Sequence, residues 1–158
     1  MTDKAAFSES EWGLLERLPR WVATGAGAAQ ADGALRSAAE SDVGLLAVAG
    51  GRESTSPFVA SIARRLIDTY DDPDGGPDFG DAAKGIAALY DRAQTAAQVL
   101  AAKADRADTA AYRKWLLTIA DMVVGQSRSG GVFGMGGSNI SAAERQICDG
   151  LAQALNPQ

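Results

Sequence analysis

The chain has 158 residues, 46% of them hydrophobic and only 6% aromatic, with a net charge of −5 and no histidine. That is the size of one ordinary domain with a core of its own, and alanine at about a fifth of the chain favours helices packed closely through small side chains. Lys and Arg are scattered, which argues against a nucleic-acid partner. The single cysteine and the lack of histidine exclude an internal disulfide, the usual zinc sites and histidine-based triads.

The first helical signal is Ser8 or Ser10 as cap ahead of Glu11, Trp12, Leu14, Leu15 and Leu18, with residues 1–7 expected as a flexible terminus. Pro19 reads as the first-turn proline of a second helix, through Trp21 and Val22 to about Gln30, stopped by Ala31-Asp32-Gly33. Ser37 and Glu40 form a capping box for a third helix, carrying Val43, Leu46 and Val48 up to Gly50-Gly51. Ser54 or Ser56 before Pro57 opens a fourth, with Phe58, Ile62, Leu66 and Tyr70 at helical spacing.

Residues 71–80 are an acidic Pro/Gly connection. Asp71, Asp72, Asp74, Asp78 and Asp81 lack the ligand spacing of an EF-hand, and Asp78 is a natural helix cap. From Asp81 a fifth helix shows Ile86, Leu89, Tyr90, Ala93, Ala97 and Leu100 on one face. A sixth follows Asp108, striped by Tyr112, Trp115, Leu116, Ile119, Met122 and Val123. The last begins at Ser141 and buries Ile147, Leu151 and Leu155, with Cys148 beside them as a small buried hydrophobe. No segment alternates as a strand would, so the expected class is an all-α, single-domain bundle of about six to seven helices.

The heptapeptide Arg20 to Ala26, RWVATGA, matches Lys114 to Ala120, KWLLTIA, and each is followed by S-A-A-E, at 37–40 and at 141–144. This suggests two related helical hairpins. From Trp to Ser the separation is 16 residues in the first copy and 26 in the second, so the second carries ten more, which fall in the glycine-rich loop at 129–139.

That loop contains Gly131 to Ser138, which matches the spacing of a phosphate-binding P-loop except that Gly137 replaces the lysine and a helix precedes it instead of a strand. Nucleotide binding is therefore not expected. The loop carries Val132, Phe133 and Met135, which either tuck under the domain or form a contact surface for a protein partner or a second copy.

The segment QADGALRSAAE resembles the "ADG…E" hairpin of the TerB-like tellurite-resistance proteins, and the ending from Gly131 onward is similar to that of other bacterial helical proteins of this length. The resemblance covers about a third of the chain and implies an all-helical domain with an acidic surface that holds divalent cations in a stress response. Asp32 and Glu40 are the candidate ligands, for Ca2+ or Mg2+; opposite Asp32 the second copy has Gln126 or Gly136. The functional expectation is a non-enzymatic binding or interaction module; the alternative is a small helical enzyme or nucleotide-binding regulator using the glycine-rich loop. With no apolar signal segment in Met1 to Ser10 and no run approaching roughly 20 apolar residues, no membrane span is expected and the location is expected to be cytoplasmic.

Overall fold

The computed structural model describes residues 2–28, 43–69, 76–77, 79–129 and 142–156. Among these are six α-helices and no strand, an all-α single-domain bundle as the sequence leads one to expect. They are α1 (Glu9–Ala28), α2 (43–49), α3 (Pro57–Asp68), α4 (Ala82–Lys103), α5 (Arg106–Ser129) and α6 (Ala142–Ala154), with short 3-10 turns at Lys4–Ala6 and Gly50–Glu53.

The first correction concerns Pro19. It starts no new helix but lies inside α1, so the two expected N-terminal helices are one. A mid-helix proline has no N–H for the carbonyl four residues earlier, here that of Leu15. The Tyr112 hydroxyl, from α5, donates to that carbonyl at 2.7 Å in a fully buried setting. Burial pushes the Tyr112 phenol well above its ordinary pKa, so it remains a donor.

Of the two candidate caps for α1, Ser8 is the one used. Its Oγ accepts from the Glu11 amide at 3.2 Å while its own amide donates to Glu11 Oε2 at 2.7 Å, a capping box. Glu11 also accepts from Lys103 Nζ at 2.6 Å, joining the start of α1 to the end of α4.

Helix α1 packs along α4 and α5 and also touches α3 and α6, while α6 closes against α4 and α5. Leu15, Leu18, Val22 and Ala26 from α1 meet Leu89, Ala93 and Leu100 from α4 and Leu116, Ile119 and Val123 from α5 in one buried core. Small residues permit the close approach: a Cβ on Gly25 would lie 2.7 Å from Leu89 Cδ2.

Two expected core residues face outward. Leu46 is 66% exposed and Met122 is 43% exposed. In α2 it is Ala47 and Val48 that turn inward, and in α5 the inner stripe passes from Ile119 to Val123 and leaves Met122 to one side. Cys148 is half-buried at the edge of the core, not fully enclosed.

Helix α5 starts earlier than expected. Asp105 caps it, accepting from the Asp108 amide at 2.8 Å, which frees the Asp108 carboxylate for tertiary bonds. Asp108 Oδ1 accepts from Ser56 Oγ at 2.6 Å and Oδ2 from the Thr2 amide at 2.9 Å, with the residue only 5% exposed. Residues 2–7, where the sequence suggests a flexible terminus, are docked by this bond and by Phe7, which is buried in the core cluster. The helix cap before α4 is Asp81, accepting from the Lys84 amide at 3.2 Å; Asp78 and Tyr70 lie outside the described residues.

Trp21 and Trp115, the matched tryptophans, are both 6% exposed and each covers a glycine, Gly76 for Trp21 and Gly51 for Trp115. Their surroundings differ: the Arg92 guanidinium sits 4.5 Å over the Trp21 ring, whereas Trp115 meets Tyr112 edge-on at 6.0 Å. The first S-A-A-E lies outside the described residues.

Burial pushes the Asp108 carboxyl up, but hydrogen bonds from Ser56 and Thr2 outweigh it and hold the group below its ordinary pKa. Its folded-state value is thus below its unfolded one, and the stabilisation is complete above the unfolded pKa and lost as pH falls through the folded one. Asp108→Ala is expected to cost about 1–3 kcal/mol near neutral pH. In urea unfolding, the gap from wild type should be constant above pH ~5 and narrow below pH ~4; a gap that widens on acidification contradicts the assignment.

Candidate functional site

The residues that sequence reasoning singles out, Asp32 and Glu40 for a cation and Val132, Phe133 and Met135 for a partner, all lie outside the described residues. The described structure offers a different site, between the Gly50–Glu53 turn and the middle of α5.

Local chemistry builds the turn. After α2, Gly50 and Gly51 tighten the chain into a 3-10 turn, closed by the Ser54 amide on the Gly51 carbonyl at 3.1 Å and by Arg52 Nε on the Ala49 carbonyl at 3.3 Å. Ser56 then caps α3, accepting from the Val59 amide at 3.2 Å, with Pro57 in the first helical position. Because the Ser56 hydroxyl also bonds Asp108, the connection is fixed to α5 less than two turns before Trp115.

Between the turn and α5 lies a groove of about 370 Å³, whose walls include Ala47, Val59 and Met122. Trp115 lines it, and Lys114 and Glu53 are its charged groups. The volume is at the lower end of the range for small-molecule sites. Gly51 is essential to the wall: a Cβ there would lie 2.5 Å from Trp115 Cε2 and 2.7 Å from Nε1.

Trp115 Nε1 is buried and has no hydrogen-bond partner, the one such side-chain atom among the described residues. Buried polar groups are nearly always paired, and an orphan costs about 1–3 kcal/mol. The contrast with Trp12 is direct. Trp12 Nε1 donates to Glu16, which also holds Arg65 Nε at 2.9 Å. Lys114 is exposed and makes no ion pair with another described residue.

Two other grooves each have polar groups already engaged within the protein. Between α4 and α6, Tyr90 donates to the Gln146 carbonyl at 3.2 Å, and burial raises its phenol pKa. Beside the N-terminal segment, Lys4 Nζ sits 5.2 Å over the Trp12 ring, above the Trp12–Glu16–Arg65 chain. Among the described residues no three metal-ligating side chains come together.

Sequence reading places Trp115 on a core stripe and Gly50-Gly51 at a helix end; both are true, and neither reveals that one covers the other. The available signal is the pairing of a glycine doublet with a tryptophan that a matched segment surrounds differently. Comparison with protein-family models, curated proteins and solved structures finds no match. Among the described residues, no helix is long and apolar enough to cross a membrane.

The two glycines provide a local test. A Cβ on Gly50 would meet nothing within 4 Å, whereas one on Gly51 enters the indole. Gly51→Ala should destabilise by about 1–3 kcal/mol in denaturant unfolding and Gly50→Ala by less than about 0.5 kcal/mol; equal effects would mean that Trp115 does not seat on Gly51.

Proposed function

We propose that the protein is a non-catalytic binding module of the TerB-like kind, with the groove beside Trp115 as a small-ligand site. The observation that carries this reading is the groove of about 370 Å³ between the Gly50–Glu53 turn and α5, walled by Val59, Trp115 and Met122 with Lys114 and Glu53 as its charged groups. A mainly small and apolar wall with two charged groups suits capture of a small molecule.

The same reading includes two surfaces proposed from sequence. Asp32 and Glu40 supply oxygen ligands to a divalent cation, Ca2+ or Mg2+, and Val132, Phe133 and Met135 contact a protein partner or a second copy. The cation site has a test of its own.

For the groove, a fragment mixture added to ¹⁵N-labelled protein should move the Trp115 indole cross-peak and leave that of Trp12, already paired with Glu16, in place. Fragments that move neither tryptophan would contradict the groove reading. For the cation, calorimetric titration with Ca2+ should give heat in wild type and less in Asp32→Ala; no heat in wild type would remove the cation from the account.

A further inference from the structure

We infer that the rim of this groove docks a second copy of the chain, related by a two-fold axis along the groove, so that α5 of each copy faces α2 and the Gly50–Glu53 turn of the other. The inference goes beyond the small-ligand reading and does not need it. Leu46, at 66%, and Met122, at 43%, are the exposed large hydrophobic side chains among the described residues. Both flank this one groove: Met122 lines it from α5, and Leu46 immediately precedes Ala47, which lines it from α2. Single apolar side chains in water are ordinary, but two that flank the same mainly apolar depression form the kind of patch that marks a contact surface. Gly50 on the turn is exposed, and a Cβ there would meet nothing within 4 Å, so a neighbouring molecule can approach the turn closely.

Charge complementarity identifies the occupant. Glu53 on the turn and Lys114 on α5 are both exposed, and neither has an ion pair with another described residue. A surface made for a different protein has no need to carry both members of a pair, whereas a two-fold interface must, because each residue meets its complement on an identical surface. The fold also places them at matching levels. Ser56 bonds Asp108 and Gly51 lies against Trp115, so the chain leading back from α3 to α2 runs alongside α5 in the opposite sense. Glu53 is therefore level with the Lys114 end of the groove, and α2 with the Met122 end. Rotation about an axis along the groove keeps these levels: it sets Lys114 of one copy opposite Glu53 of the other, and Met122 opposite Leu46, each contact made twice. The net charge of −5 on each copy opposes association at long range, but that field is screened beyond about 8 Å at physiological salt, so the close pairs decide.

The test is sedimentation equilibrium of the full-length chain. Wild type should dimerise in a concentration-dependent way, and the double variant Leu46→Gln/Met122→Gln, changed only at exposed positions, should dimerise at least about tenfold more weakly with helix content unchanged. Lys114→Glu and Glu53→Lys each set like charges opposite one another at both contacts, so each variant alone should also associate at least about tenfold more weakly than wild type. Mixed in equal amounts, these two variants should recover a dimer within about threefold of wild-type affinity, because both contacts between them again pair opposite charges. A wild type that stays monomeric up to about 1 mM, a dimer indifferent to the loss of Leu46 and Met122, or a mixture no more associated than its components overturns the inference. The small-ligand reading is tested separately, by fragments on the Trp115 cross-peak of protein diluted to the monomer.

Discussion

The bond from the Tyr112 hydroxyl to the Leu15 carbonyl is the constraint on which the rest of the bundle depends. Helix α1 is the element that the other long helices share, and Pro19 lies at its middle with one backbone bond missing. Left unpaired in the core, that carbonyl would favour a break at Pro19. Supplying the donor from α5 makes the helix continuous and pins α5 to it in a single register. The tertiary contact thus completes the hydrogen bonding of the secondary structure.

Around that bond the aromatic side chains form a connected series. Phe7, Trp12 and Phe58 meet at 5.7–6.1 Å between ring centroids; Phe58 then meets Tyr112 at 6.1 Å and Tyr112 meets Trp115 at 6.0 Å. The series links the N-terminal segment, α1, α3 and α5, and it ends at the groove. Asp108 works in parallel, fastening Thr2 and the cap of α3 to the first turn of α5. Between them they hold the Gly50–Glu53 turn over Trp115, with Lys114 and Met122 beside that tryptophan on the α5 side of the groove. A preformed site of this kind spends little binding energy on ordering.

Much of the architecture was legible in the sequence because caps and helical periodicity are local. A serine cap at 8 or 10, a serine at 54 or 56 ahead of Pro57, the Asp81 start and the stripes of α4 and α5 all follow from residues within a few turns of one another, and the structure selects Ser8 and Ser56. The failures share a cause: they depend on contacts between residues far apart in the chain. Pro19 reads as a boundary because nothing near it in sequence announces a donor 97 positions from Leu15. Asp108 reads as a residue ahead of its helix because its partners, Ser56 and Thr2, are equally remote. Leu46 and Met122 have the right residue type and nearly the right phase, yet burial depends on which neighbour faces them. The groove was invisible for the same reason, since Gly51 and Trp115 come from separate elements.

The most direct measurement is a double-mutant cycle between Pro19 and Tyr112, read by urea unfolding. Tyr112→Phe in the wild-type background leaves the Leu15 carbonyl without its donor and should cost about 1–3 kcal/mol. In a Pro19→Ala background the new alanine N–H can bond that carbonyl, and the same change should cost at least about 1 kcal/mol less. A cycle that is additive within about 0.3 kcal/mol would contradict the account, because it would mean that the tyrosine and the proline act independently.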